Sequence, residues 1–449
     1  MSTPEIARTS PVAMVQLSVM MFLQFFVWGA WYVTLGPYMG KAGMGDSIGH
    51  AYTVGPIAAI VSPFFLGIIA DRFFSAQRVL GVLHVLGGAA LIAAPRLLPA
   101  AGAEVVPDAV VQPSHQPFLA CLLFHMLCYM PTLGLSNSVA FTHIRSPEKE
   151  FPVVRVLGTI GWIVAGFAVA AVITDEAPGR FFEVAGAAGI LLGLFSFMLP
   201  HTPPASKGKE IRVSEILGLG TLKLLKVRNF AVFAIASFLL CIPLAGYYGF
   251  APTFAGHAGV KNVPVTMTFG QMSEIVFMLL MPLFFARLGV KWMLLVGMLA
   301  WVARYVLFAQ ASDTGVAWMV LAGIILHGIC YDFFFVTGFI YVDRAAPKEL
   351  RSQAQGFLVL LTQGLGLGIG AQVFGRLVAN NTAENAAALQ AEGEALRKVG
   401  TDAAFAEGTA KFLASVDWAK VWMAPAIAAG AIAVLFFLMF WEKKEQRQG

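Results

Sequence analysis

The sequence predicts an all-α membrane protein with twelve transmembrane helices in two bundles of six. Hydrophobic residues make up 58% of the 449-residue chain, and charged residues only 12%. Soluble domains carry about twice that charged fraction. The longest hydrophilic break within the first eleven apolar segments, residues 201–228, leaves six segments on either side. Together these observations indicate a polytopic chain built from two similar halves.

Twelve segments approach the roughly 20 apolar residues that cross a bilayer as a helix. They cover residues 13–38, 50–70, 79–98, 117–140, 152–174, 181–200, 229–255, 266–286, 291–310, 315–342, 353–378 and 419–441. We therefore expect an N-terminal bundle at 1–200, a central cytoplasmic loop at 201–228 and a C-terminal bundle at 229–449. The segment 379–418 is rich in Ala and Glu, which predicts a loop with a short helix outside the membrane.

The distribution of Lys and Arg predicts the orientation of the chain. An N-terminus on the cytoplasmic side places nineteen basic residues in the cytoplasm and nine outside, while Arg155 and Arg304 remain within spans. Cytoplasmic loops carry the excess of basic residues, so both termini are predicted to be cytoplasmic. The net charge of +5 comes from these loops and does not indicate a nucleic-acid partner.

Motifs of enzymes, metal sites and nucleotide-binding proteins are missing from the sequence. The four cysteines lie in apolar runs without a CxxC pattern, and there is no P-loop, HExxH or GxSxG motif. The glycine run from Gly364 to Gly370 lies inside an apolar helix, so it predicts a packing face rather than a phosphate site. We expect no cofactor and no enzymatic activity. Transport without a nucleotide must use an ion gradient or run downhill.

A short polar turn between the second and third spans reads GIIADR and contains Gly67, Asp71 and Arg72, and a weaker copy lies at 285–291. This turn resembles the signature loop of the major facilitator superfamily. Glycine permits close helix approach, and an Asp/Arg cluster is suited to a cytoplasmic gate. The resemblance implies two bundles that rock around a central cavity and expose it alternately to each side.

Span ten carries the most informative polar residues of the chain. Asp332 lies deep in the apolar stretch 319–342, with His327 and Tyr331 on the adjoining helical face. An acidic residue at this depth costs roughly 2.5–3.5 kcal/mol on insertion, and such residues usually mark ion or substrate paths. We expect Asp332 to take up and release a proton. The alternative is a structural acid paired with an arginine of a neighbouring helix.

Span eight adds a second carboxylate. Gln271 and Glu274 are three residues apart, so a helix places both side chains on one face. We expect Glu274 to contribute to proton coupling and both side chains to face the cavity. A structural pair of Glu274 with Arg304 is the alternative.

Span five presents Arg155, Thr159 and Trp162 as one helical stripe. In the functional interpretation, Arg155 donates hydrogen bonds to substrate oxygens and Trp162 supplies a flat apolar face. Arg155 lies near the cytoplasmic end of its span, so extension of its side chain to the membrane interface is the alternative.

Several other residues within spans have more than one plausible role. Gln24 and Trp28 repeat the polar–aromatic spacing on span one, and Tyr248 lies on span seven. Each could line the substrate cavity or serve packing. His84 and His125 are single histidines on apolar helices, which favours buried core histidines over proton relays.

Six short segments, spread over the spans, carry a closer resemblance: FLQFFVWGAW (22–31), YMPTLG (129–134), FPVVRVLGTIG (151–161), QMSE (271–274), YDFF (331–334) and SQAQG (352–356). Together they resemble the family of nucleoside:proton symporters within the major facilitator superfamily. The resemblance covers nearly the whole chain. It implies proton-coupled nucleoside uptake across a bacterial inner membrane. By motif, it implies substrate contacts at Arg155, Thr159, Gln271 and Glu274, an aromatic position at Trp162, and coupling at Asp332.

Four departures from this family's pattern concern the substrate. Span seven has Ala245 and Tyr248 where the family offers amide side chains, and span ten has His327 and Tyr331 where a tyrosine and a phenylalanine are typical. A site built to hydrogen-bond one group rejects analogues strongly, so such changes affect selectivity. Another polar cargo, such as a sugar or nucleobase, is the first alternative. A membrane sensor that does not transport is the second alternative. We expect the protein to act as a monomer.

Overall fold

The protein is described from a computed structural model. The residues that the structure describes are 9–41, 44, 47–65, 73–97, 115–145, 147–174, 177–204, 219–314, 316–347, 350–382 and 416–441. The predicted gate residues Gly67, Asp71 and Arg72 lie outside them. So does 383–415, which covers most of the segment predicted to contain a short extramembrane helix.

Helices account for nearly all of the described chain. We label them α1 (Pro11–Lys41), α2 (Ile48–Phe65), α3 (Ala76–Ala93), α4 (Gln116–His143), α5 (Pro147–Val172), α6 (Arg180–Ser196), α7 (Arg228–His257), α8 (263–288), α9 (290–314), α10 (317–345), α11 (351–380) and α12 (Trp418–Met439). The boundary between α8 and α9 is Gly289, whose φ of 68° is non-helical within the continuous run Val263–Thr314. Glycine adopts this conformation without the penalty that a Cβ atom imposes.

The prediction of an all-α membrane protein is confirmed. Among the described residues, nine stretches are long and apolar enough to cross a membrane, and one of them, Val263–Ser312, contains two of the predicted spans. The apolar helix Ile48–Ser62 is shorter, and α6 has 17 residues. The count of twelve spans stays a prediction.

The chain divides into two compact units. Unit 1 comprises Met1–Tyr32, Val61–Leu98 and Gln116–Ile211, and unit 2 comprises Val33–Ile60, Pro99–His115 and Arg212–Gly449. Residues 33–60, from the first two helices, belong to unit 2.

Glycines bring the helices of unit 1 into backbone contact. A Cβ atom on Gly88 of α3 would lie 2.6 Å from the carbonyl oxygen of Gly186 on α6. A Cβ atom on Gly161 of α5 would collide with the carbonyl oxygen of Phe22 on α1. Without aqueous solvent between helices, such small-residue faces provide the van der Waals contact that holds a bundle together. The α1–α5 contact also brings together the aromatic side chains of the two helices, which are described below.

The glycine run on α11 is a packing face, as predicted. In unit 2, a Cβ atom on Gly366 would lie 2.7 Å from Cβ of Cys241, and one on Gly370 would lie 2.7 Å from the carbonyl oxygen of Ile242. Both partners belong to α7. Helix α11 contains a π-helical turn over Leu360–Gly366, and α10 contains another over Asp332–Val336.

Candidate functional site

Asp332 is fully buried in unit 2 and has no hydrogen-bond partner for either carboxylate oxygen among the described residues. It is the first residue of the π-helical turn in α10, and such turns are frequent at functional sites. A buried charge costs a large free energy unless it is paired, whereas a bound proton removes the charge. The environment of Asp332 therefore suits a carboxyl group that exchanges a proton.

His327 lies between an arginine and a carboxylate. Its Nε2 is 4.0 Å from Oε2 of Glu274, and its Nδ1 is 3.3 Å from an Nη atom of Arg304. Glu274 is 9% exposed and also lies close enough to Asp332 for the two charges to interact. Unit 2 thus contains a polar cluster of Arg304, His327, Glu274 and Asp332, which we call the α8–α10 cluster.

Aromatic rings line the α8–α10 cluster. The ring of Tyr247 on α7 stacks on His327 with an angle of 17° between the ring planes. The ring centroid of Tyr248 lies 5.8 Å from that of Tyr247. Tyr331 lies 5.8 Å from His327. Gln271 is half-buried, and its Oε1 atom has no hydrogen-bond partner among the described residues. Apolar walls with a few polar groups are typical of small-molecule sites.

Close contact between α8 and α10 holds the cluster in place. The backbone N–H of Gly328 donates a hydrogen bond of 2.9 Å to Oγ of Ser273. A Cβ atom at Gly328 would lie 2.5 Å from the carbonyl oxygen of Ser273 and 2.7 Å from the amide nitrogen of Glu274. The glycine therefore lets the helix that carries His327 and Asp332 touch the helix that carries Glu274.

In unit 1, the α1–α5 contact builds an aromatic surface. The rings of Trp28 and Trp162 are 5.5 Å apart, and Tyr129 lies 5.7 Å from Trp28. The guanidinium of Arg155 lies 4.1 Å from the ring centroid of Phe25, a cation–π contact. Arg155 and Thr159 are both half-buried. Unit 1 thus brings the predicted span-one and span-five residues together.

Gln24 belongs to a buried hydrogen-bond network rather than to an open surface. Its side-chain nitrogen donates to Oγ1 of Thr132 at 2.8 Å, and its side-chain oxygen lies 2.9 Å from Nε2 of His84. The hydroxyl of Tyr129 donates to the backbone oxygen of Gln24 at 2.6 Å. Gln24 is 0% exposed. This location favours the packing alternative for Gln24.

His84 and His125 are buried, as expected for core histidines. His84 bonds to Gln24, and Nδ1 of His125 lies 2.9 Å from the carbonyl oxygen of Gly87. The sequence did not predict that His84 joins Gln24, nor that Arg304 contacts His327. One signal pointed to Arg304, because an arginine within an apolar span requires buried partners. In the described part of the chain, no cluster of His, Cys, Asp and Glu is suited to a metal ion.

Comparison with known proteins gives consistent results. Residues 12–445 match the family model described as "Nucleoside H+ symporter". The putative nucleoside transporter YegT of Escherichia coli is 38% identical, over 96% of this chain and 94% of that protein. The xanthosine permease of the same organism is 32% identical over 81% of this chain and 87% of its own length.

The nucleoside permease NupG of Escherichia coli extends this similarity to structure. It is 32% identical over 81% of this chain and 87% of its own length. Its crystal structure matches with a TM-score of 0.77 and 28% identity, and covers 96% of this chain and all of that one. The major facilitator fold predicted from the sequence is confirmed, and the relatives are transporters rather than enzymes. The chain belongs to the family of nucleoside H+ symporters.

Proposed function

We propose that this protein takes up nucleosides together with protons across the bacterial inner membrane, acting as a monomer by alternating access. The observation that carries the proposal is Asp332, a fully buried carboxylic acid without a partner for either oxygen among the described residues. Family membership supports the nucleoside as the substrate and the proton as the coupling ion, and the burial of Asp332 supports this residue as the site where the proton binds.

The proposed cycle begins with protonation of Asp332, assisted by Glu274, from the outer side. Loss of the charge lowers the cost of enclosing the carboxyl group, so the cavity can close around the nucleoside. The predicted bundles, 1–200 and 229–449, then rock about the bound substrate. The higher internal pH removes the proton and releases the cargo.

Each unit contains residues for which we propose a substrate contact. In unit 1 they are Arg155, Thr159, Trp162 and Trp28, and in unit 2 they include Gln271 and Glu274. Gln24 supports the aromatic surface through its network with Thr132 and His84. The remaining contacts in unit 2 are His327, Tyr331 and Tyr248.

Uptake of radiolabelled uridine and adenosine into intact cells tests this proposal. We expect accumulation above the external concentration, a faster rate with acid outside, and collapse on addition of a protonophore. Accumulation that ignores the protonophore contradicts proton coupling, and a lack of uptake of every nucleoside contradicts the substrate class. A C-terminal reporter that is active only in the cytoplasm tests the proposed orientation.

A second cargo is supported by span seven. Ala245 is 5% exposed and cannot donate or accept a side-chain hydrogen bond, and Tyr248 follows three residues later. Sugars and free nucleobases are therefore included as competitors. Competition by a sugar or nucleobase at lower concentration than by any nucleoside would assign the transporter to that cargo instead.

A further inference from the structure

Arg304 is held by three contacts within the α8–α10 cluster. Its Nε donates to the carbonyl oxygen of Gly323 at 3.0 Å, an Nη atom reaches Nδ1 of His327 at 3.3 Å, and its guanidinium carbon lies 4.1 Å from the ring centroid of Tyr247. The residue is 0% exposed. A planar guanidinium fixed at three points has little freedom to move, so it presents a donor to His327 in one direction.

The contact between Arg304 and His327 determines where the imidazole carries its proton. A guanidinium has only hydrogen-bond donors, so Nδ1 of His327 must accept. A neutral imidazole that accepts at Nδ1 carries its hydrogen on Nε2. The Nε2–H donor therefore lies on the side of Glu274, whose Oε2 is 4.0 Å away.

The ring of His327 is also held by packing. It stacks on Tyr247 with centroids 5.5 Å apart, and a Cβ atom on Gly270 would lie 3.2 Å from Cβ of His327. The same tyrosine ring thus contacts both Arg304 and His327. This arrangement fixes the orientation of the imidazole as well as its tautomer.

We propose that Arg304 is a positioning residue that keeps His327 as an Nε2–H donor beside the carboxylate acceptor of Glu274. The proposal rests on the proposed function and defines the ligand group that this pair takes. That group presents a hydrogen-bond acceptor to His327 and an adjacent donor to Glu274. A nucleoside offers such a pair either in its ribose diol or along the edge of its base.

The first test measures the tautomer on the purified full-length chain in lipid nanodiscs. The chain contains eight histidines, so ¹⁵N-histidine spectra are recorded for the wild type and for His327→Gln, and the difference isolates His327. We expect an unprotonated Nδ1 and a protonated Nε2 in the wild type. Arg304→Met should give a mixture of tautomers, and Arg304→Lys should restore part of the wild-type signal. A protonated Nδ1 in the wild type overturns the proposal.

The second test measures uridine binding. We expect Arg304→Met to weaken binding about tenfold, the value of one hydrogen bond in a buried site, and Arg304→Lys to recover part of the loss. In a His327→Phe background, Arg304→Met should add little, because there is no tautomer left to fix. Equal and additive losses in both backgrounds would show that Arg304 acts only through stability.

Two analogues distinguish the ribose from the base. If the diol binds, 3′-deoxyuridine binds the wild type about tenfold more weakly than uridine does, and His327→Phe removes this difference. If the base edge binds, N3-methyluridine, which lacks the N3–H donor to Glu274, binds about tenfold more weakly than uridine does, and Glu274→Leu removes this difference. If His327→Phe leaves the first difference and Glu274→Leu leaves the second, the donor–acceptor pair is wrong. Failure of the proposed function would appear separately, as a wild type that binds no nucleoside but still shows the expected tautomer.

Discussion

Each unit carries a buried polar cluster, and the two clusters differ in how completely their atoms are hydrogen-bonded. In unit 1, both ends of the Gln24 side-chain amide are bonded, to Thr132 and to His84. In unit 2, neither oxygen of Asp332 has a partner among the described residues, and one Nη atom of Arg304 also lacks one. A fully bonded network makes a bundle rigid, whereas an incomplete one leaves groups available for a ligand or a proton.

This contrast indicates different roles for polar residues that are equally buried. Gln24 and Asp332 are both 0% exposed. The cost of burying Gln24 is offset within the protein, while the cost of burying the Asp332 carboxylate is not. We infer that Asp332 serves proton exchange and that Gln24 serves stability.

Asp332→Asn should have the largest effect on transport. We expect concentrative uptake to fall about tenfold or more, to the level of equilibration, because the amide cannot release a proton. The melting temperature should stay the same or rise, since the substitution removes an unpaired buried acid. Uptake under an acid-outside step and a thermal melt are the measurements. Asp343→Asn, an exposed acid on the same helix, is the matched control. Full accumulation by Asp332→Asn would remove the contrast between the clusters.

Gly328→Ala tests whether the α8–α10 cluster depends on the close contact between α8 and α10. The added methyl meets Ser273 and the backbone of Glu274, so we expect a loss of about 1–3 kcal/mol in stability and a marked loss of uptake. Gly356→Ala is the control, because no atom lies within 4 Å of its Cβ position. That control should be neutral or stabilising by about 0.5–1 kcal/mol. Equal behaviour of the two variants contradicts the importance of the α8–α10 contact.

Gln24→Leu tests the hydrogen-bonded cluster around Gln24 in unit 1. It leaves the buried imidazole of His84 without its partner, so we expect a loss of about 1–3 kcal/mol in the free energy of unfolding. Uridine affinity of the folded protein should change little. Gln16→Leu on the same helix is the control, because its bond to the carbonyl of Met198 is exposed. Weaker uridine binding with unchanged stability would instead make Gln24 a substrate contact.

Arg155→Lys should have the smallest effect of the four. Lysine keeps the charge but loses the planar fork and the full stack on Phe25. We expect KM for uridine to rise about threefold to tenfold with kcat nearly unchanged, the pattern of lost ground-state binding. Arg78→Lys, at an exposed position of unit 1, is the control. A fall in kcat alone would place Arg155 in the conformational cycle rather than in binding.

Much of the site could be predicted from the sequence because helical spacing is regular. The positions of Gln271 and Glu274 three residues apart, and of Asp332 deep in an apolar span, follow from the residue order alone. The partners of these residues could not be predicted in this way. Gln24 and Trp28 form one stripe in the sequence, yet one side chain is fully hydrogen-bonded and the other joins an aromatic surface.

The sequence by itself determined that this chain is a helical membrane protein with an acidic residue in an apolar span, because hydropathy and the cost of a buried charge depend only on residue type. The tertiary structure decided which buried groups are paired. His327 lies between Arg304 and Glu274 because α8 contacts α10 through Gly270 and Gly328, while Arg304 of α9 donates to the carbonyl oxygen of Gly323 on α10. Such contacts join residues that are distant in the chain, and no periodicity within one helix encodes them.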